Sequence, residues 1–186
     1  MRKNLIAIII GIALCVFSLP AQNASARLGV ILNNYSPRTA FTTGAIPRAD
    51  LDLIVQTGVR SSSAGNRQPW FFTVVQDLGL TQKIIPQSVQ GNVIIVISTE
   101  GNTNREIIDC ALATQSIYLA AQALGYGSQI YTGPITVLNR DLKGDLGLPA
   151  NRNAITVVRI GRVTPGVDAV SGASPRKDAS ETVTYK

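Results

Sequence analysis

A mixed fold, α/β or α+β, with one sheet and several helices, is what this sequence predicts. Three observations carry that expectation. Residues 70–75 (WFFTVV), 93–97 (VIIVI) and 154–160 (AITVVRI) are β-branched or aromatic runs of strand length. Stretches with helical spacing alternate with them, the clearest over residues 104–124. The chain has 186 residues, 45% hydrophobic and 15% charged, enough apolar material for one core and too little charge for a disordered chain.

The elements follow in order. Residues 28–33 are a short apolar piece of helical character, and residues 34–45 read as a polar loop. Pro47 opens a helix, because the first helical position needs no N–H. Leu51, Ile54, Val55 and Val59 then fall on one face of that helix. Residues 61–69 are a loop ahead of the first strand. Residues 80–85 form a short helix, and 93–97 a strand apolar on both faces. Thr103 and Glu106 form a capping box for the long helix, and Gly125 ends it in the left-handed conformation. The second half of that helix, ALATQSIYLAAQAL, is apolar or small nearly all round, which asks for burial on several sides. A subunit interface can supply one of them. Residues 128–131 are a short strand, Thr132-Gly133-Pro134 a turn, 135–142 a short helix or loop, and 154–160 the last strand. The tail from Gly161 is rich in Gly, Ser and charge.

The first 26 residues read as a secretory signal, and residues 27–186 as the mature domain. Met1-Arg2-Lys3-Asn4 is a positive start, residues 5–19 an apolar run too short to span a bilayer comfortably, and Ala24-Ser25-Ala26 a cleavage site. The chain is therefore expected to be exported, periplasmic or secreted. The alternative is a membrane anchor left uncleaved.

The formal net charge of +6 falls to +4 once Arg2 and Lys3 leave. So small an excess, with no recognition motif, argues against a nucleic-acid partner. There is no histidine, which excludes a histidine triad, histidine metal ligands and histidine acid–base chemistry. The mature chain keeps only Cys110, so it has no internal disulfide and no cysteine zinc site. Cys110 lies within an apolar helix and reads as a core residue. No side chain stands out as a catalytic acid, base or nucleophile, and no metal site is expected.

Ser61 to Trp70, SSSAGNRQPW, is the segment richest in chemistry. It offers three hydroxyls, the amides of Asn66 and Gln68, the cation of Arg67 and a flexible Gly65. Such a loop can bond a planar ligand with polar edges, or simply connect a helix to a strand.

This segment resembles the P-S-x-x-N-x-Q-P-W signature of the nitroreductase family of FMN enzymes. Ser63, Asn66, Gln68, Pro69 and Trp70 match at the family's spacing, with Ser62 in place of its Pro. Residues 109–128 resemble the family's central helix and its Leu-Gly-hydrophobic-Gly ending, and residues 146–163 its last core strand. Ser174-Pro175-Arg176-Lys177, with Val183 and Tyr185, resembles its basic C-terminal segment. Upstream, Ser36, Arg38 and Phe41 fit the family's R-x-S-x-[RK]-x-F with one residue inserted, and Asn34 stands where the family has Arg.

The resemblance implies an α+β fold, a central, mainly antiparallel sheet flanked by helices, in a homodimer with FMN sites across its interface. It implies FMN held by Ser36, Arg38, Ser63, Asn66, Gln68, Thr132, Gly133, Arg176 and Lys177. The phosphate, with its charge of about −1.5 to −2, calls for Arg38 with Arg176 or Lys177. The amide-rich loop suits the ring edge, and the turn at Thr132 and Gly133 the neighbourhood of flavin N5. The implied activity is ping-pong reduction of nitroaromatic, quinone or similar small acceptors. The electron donor is NAD(P)H or, outside the cytoplasm, a membrane redox partner. The alternative is an exported flavin-binding or structural relative without catalysis.

Overall fold

The computed structural model describes residues 28–165 and 176–186. The expected leader, with its cleavage site, and Ser174 and Pro175 of the tail lie outside the described residues. Residues 28–32 are helical, with Leu28, Ile31 and Leu32 exposed. No helix among the described residues is long and apolar enough to cross a membrane.

From Asn34 onward the chain forms one unit around a five-stranded antiparallel sheet. The strands are β1 (Phe41–Thr42), β2 (Phe71–Val75), β3 (Val93–Thr99), β4 (Gly127–Tyr131) and β5 (Asn153–Val163). Their order is β1-β5-β3-β2, with β4 also paired to β5. The helices are α1 (Arg48–Val59), α2 (Leu78–Ile84), α3 (Asn104–Ala123), α4 (Ile135–Val137, running on into a π-helical turn Leu138–Leu142) and α5 (Ala179–Thr182). The α+β class with a mainly antiparallel sheet is as expected.

All seven residues of β3 are buried. Its alternate side chains feed two cores, as the period of two requires. Val93, Ile95 and Ile97 join Leu51 and Ile54 of α1 and Cys110, Ala113, Ile117 and Ala121 of α3. Ile94 and Val96 face the other way, toward Ile84 of α2, Leu138, Leu146 and Leu148. Trp70 is a core anchor, its ring 6.4 Å from that of Phe72.

Helix α3 starts as the sequence predicts. The Thr103 hydroxyl accepts the Glu106 N–H, and the Glu106 carboxylate accepts the Thr103 N–H. The Thr103 hydroxyl also donates to the Glu106 carboxylate (2.7 Å), and this bond, with that from the Thr103 N–H, holds the Glu106 carboxyl below its ordinary value. Gly125 ends the turn after the helix at φ +82°. Burial pushes the Cys110 thiol up to about 11, with Asp109 and Glu106 adding to the effect.

Several expectations need correction. Val59 is 39% exposed, and Gly58 takes its place on the buried side of α1. Residues 41–42 pair with β5 as a strand inside what reads as a loop. The last strand continues to Val163, beyond the Gly161 taken as the start of the tail. The tail also holds α5, capped by Asp178 and Glu181. The apolar surface left open on α3 lies mainly at Ile107, Ile108 and Leu112, before and at the start of the stretch 111–124, not along it.

The segment before β1 sits on two facing glycines. Gly127 pairs with Gly161 across β4 and β5. A Cβ on Gly127 would meet the side chains of Val163 and Pro37, and one on Gly161 those of Asn92 and Phe41. Beside them the buried guanidinium of Arg159 donates to Asn92 Oδ1 (2.8 and 2.6 Å) and Gln87 O (2.7 Å), 4.0 Å from the Phe41 ring centroid. Burial pulls this guanidinium below its ordinary value, and a hydrogen bond with Tyr131 acts against that. Gly161→Ala places its Cβ 2.4 Å from Asn92 Nδ2. It is expected to cost about 1–3 kcal/mol by overpacking, read by denaturant titration.

Candidate functional site

Helix α3 holds two loops through its polar side chains. The first is the loop of residues 61–70. Ser61 Oγ donates to Ser116 Oγ (2.8 Å), and the Ala64 N–H donates to Asp109 Oδ1 (3.0 Å). At the far end, Arg152 Nη1 donates to Pro69 O (3.1 Å) while Nη2 reaches Glu100 (3.0 Å) and the guanidinium covers the Phe71 ring. Within the loop Ser63 Oγ accepts the Gln68 N–H (3.0 Å), and Gln68 Nε2 donates to Asn66 Oδ1 (3.1 Å). Ser63, Asn66 and Gln68 are thus brought together. Ser63 is half-buried and braces the loop, whereas Asn66 and Gln68 are exposed.

The second held segment is residues 34–38. Gln122 accepts the Tyr35 N–H (3.1 Å) and donates to Tyr35 O (2.7 Å), which also accepts from Tyr118 OH (2.7 Å). The Asn34 Oδ1 accepts from the same hydroxyl (3.3 Å). Burial, with the neighbouring Tyr118, raises the Tyr35 phenol above its ordinary value. Ser36 is half-buried, Pro37 is buried on Gly127, and Arg38 is exposed.

Backbone conformation singles out the same residues. Among the described residues, three without a glycine's freedom have positive φ: Arg38 (49°), Asn66 (54°) and Gln68 (49°). All three are predicted cofactor contacts. The left-handed region is unfavourable for side chains with a Cβ, and such residues gather where a ligand is held.

Thr132 and Gly133 form an exposed turn directly after β4, and a Cβ at Gly133 would meet open space. The chain's own packing does not require a glycine there. Arg176 and Lys177 are exposed and precede α5.

The loop of residues 61–70 is tied to Asp109 and Ser116, and residues 34–36 to Tyr118 and Gln122 further along α3. The outermost tethers, Asp109 and Gln122, are about 20 Å apart at 1.5 Å per residue. The tethers themselves (Asp109, Ser116, Tyr118, Gln122 and Arg152) escape a reading by motif. Their signal is weak: Asp109, Ser116 and Gln122 are polar residues of α3, but Thr114 and Gln115 interrupt the same apolar stretch without holding a loop.

A sheet of this order with polar loops held against a central helix defines the class, an α+β fold whose candidate ligand site is built from loops. The profile of the nitroreductase family matches residues 31–92 and 89–162, and the chain belongs to that family. A relative from Archaeoglobus fulgidus, described as "Putative NADH dehydrogenase/NAD(P)H nitroreductase", is 31% identical over 134 residues, 65% of this chain and 76% of its own. The crystal structure of a nitroreductase with bound FMN from Desulfitobacterium hafniense superposes with a TM-score of 0.71 at 21% identity, covering 86% of this chain and 97% of that one. A nitroreductase with bound FMN from Bacteroides fragilis gives 0.67 at 21%, covering 86% and 97%.

The strain in the loop gives a direct test. Gln68→Gly removes the Cβ from a left-handed residue. Unfolding of the protein without ligand should show a stability unchanged or raised by up to about 1 kcal/mol, since relief of strain and the added freedom of the unfolded glycine oppose each other.

Proposed function

We propose that the chain binds FMN at sites shared between two copies and reduces a nitroaromatic, quinone or similar small acceptor in ping-pong fashion. The observation that carries this is the left-handed backbone at Arg38, Asn66 and Gln68, each on a segment hydrogen-bonded to α3. Arg38 with Arg176 or Lys177 would meet the phosphate, and Ser36 would add a hydroxyl. Asn66 and Gln68, whose amides bond each other at 3.1 Å, can turn to the ring's pyrimidine edge over a loop braced by Ser63. Thr132 and Gly133 would leave the reacting face of the ring open. FMN, when bound, supplies the redox chemistry, and the chain's residues bind, orient and shield it.

The spacing of the tethers supports a homodimer. The loop of residues 61–70 is held from Asp109 to Ser116 and residues 34–36 from Tyr118 to Gln122. An antiparallel pairing of two α3 helices centred midway between Asp109 and Gln122 would set one copy's residues 61–70 against its partner's residues 34–38, with the exposed Ile108 (59%) and Leu112 (45%) inside the contact. Export of the mature domain, residues 27–186, rests on the leader sequence. It makes a membrane redox protein or a quinol a candidate donor beside NAD(P)H.

A second reading, a flavin-binding relative without catalysis, is favoured by Asn34. Where the family has Arg, this residue accepts a hydrogen bond from Tyr118.

Purified mature protein should be yellow and release FMN on denaturation, and anaerobic NADPH should bleach it. A yellow protein that no donor bleaches supports the second reading, and one that cannot be loaded with FMN removes both. Asn66→Ala should weaken FMN binding by about 1–3 kcal/mol in a fluorescence titration, the cost of a buried hydrogen bond left unmade. Leu112→Glu should sediment as a monomer and lose FMN with the dimer. A dimer with unchanged affinity would move the interface away from α3.

A further inference from the structure

Asp109 is a buried acid that tethers the loop of residues 61–70 without being a proposed cofactor contact itself. It is 3% exposed, on the face of α3 turned inward. Its Oδ1 accepts the Ala64 N–H, and its Oδ2 is buried with no hydrogen-bond partner. Packing alone does not call for such a group, because a buried carboxylate oxygen without a donor is destabilising.

The other end of the bond explains why it is there. Ala64 opens the 3-10 turn Ala64–Asn66, and that turn carries Asn66. The first N–H groups of a helical turn have no partner inside it. The residue placed to cap them, Ser63, makes no side-chain cap bond, because its hydroxyl accepts the Gln68 N–H instead. Asp109 supplies the missing acceptor from another element, 45 residues away in sequence. Two of the three left-handed residues, Asn66 and Gln68, follow within four positions of that anchor.

We propose that Asp109 is a positioning residue for the loop of residues 61–70. Through the Ala64 N–H it fixes the turn and with it the left-handed settings of Asn66 and Gln68, so that their amides stand ready for a ligand. The identity of that ligand rests on the FMN reading, whereas the anchoring of the loop does not.

Amide hydrogen exchange on the protein without FMN separates the two. Asp109→Asn keeps an acceptor for Ala64, and Asp109→Ala removes it. In the alanine variant the amides of Ala64, Asn66 and Gln68 should exchange about tenfold faster or more, while those of β3 and β5 keep their wild-type rates. FMN dissociation constants should rise about tenfold in that variant and stay within about threefold of wild type in Asp109→Asn.

Should Asp109→Ala fail to fold, Ala64→Pro breaks the same bond from the loop side. Ser63 already has the extended conformation (φ −142°, ψ 152°) that a following proline requires. It should speed exchange at Asn66 and Gln68. Loop amides that exchange at wild-type rates in Asp109→Ala, or in Ala64→Pro where that variant stands in, overturn the proposal. So does faster exchange spread through the sheet in both Asp109 variants, the mark of a residue that merely supports the fold. Wild-type protein that takes no FMN counts against the cofactor reading alone, and the exchange comparison still decides the role of Asp109.

Discussion

Helix α3 carries polar groups among its apolar residues, and two loops engage them. Asp109 and Ser116 take the loop of residues 61–70. Tyr118 and Gln122 take residues 34–36. In a helix whose inner face is Cys110, Ala113, Ile117 and Ala121, a polar side chain without a partner is costly. The loops are therefore held by the same requirement that makes the core stable. Flexible connections acquire fixed positions because an apolar helix needs its few polar groups met.

That arrangement accounts for strained backbone persisting on the surface. A left-handed residue bearing a Cβ costs roughly 1–2 kcal/mol. The contacts on either side of Arg38 and Gln68 help to hold that setting. Pro37 rests on Gly127 and Phe41 on Gly161, with the Arg159 guanidinium stacked on the Phe41 ring. Gln68 follows the turn anchored to Asp109 and precedes the carbonyl held by Arg152. In both places rigid contacts flank the strained residue on either side, as preorganised sites require. The two facing glycines belong to this logic as much as to the sheet.

What the sequence made legible was what short-range physics decides. The capping box at Thr103, the glycine end of α3 and the continuous apolar run of β3 depend on neighbours within a few positions, and each stands as read. The signature around Asn66 marked its loop for the same reason, its residues being adjacent in the chain. The misses depend on partners far away. Strand β1 exists because residues 162–163 happen to lie alongside it. Val59 has the spacing of a core residue but lies where nothing covers it in a single copy. The open face of α3 has the same origin. Composition put the surplus of apolar surface in the helix's second half, but β4 and residues 34–36 pack there and leave the first half uncovered. The tethers are the extreme case: Asp109 and Ala64 are 45 positions apart, and no local pattern links them.

The chain has no histidine and no obvious acid or base at the proposed site, so its own contribution is geometric. That makes the distance between the loops informative. The outermost tethers, Asp109 and Gln122, are about 20 Å apart along α3, and in the proposed homodimer a second copy turned end for end would bring the two loops together. The apolar surface left over on α3 at Ile108 and Leu112 lies toward the Asp109 end, within the length over which such a partner would pack. One helix then sets the core, the loop positions and the spacing of the two sites, and a change to its outer face acts on cofactor binding without touching a cofactor contact.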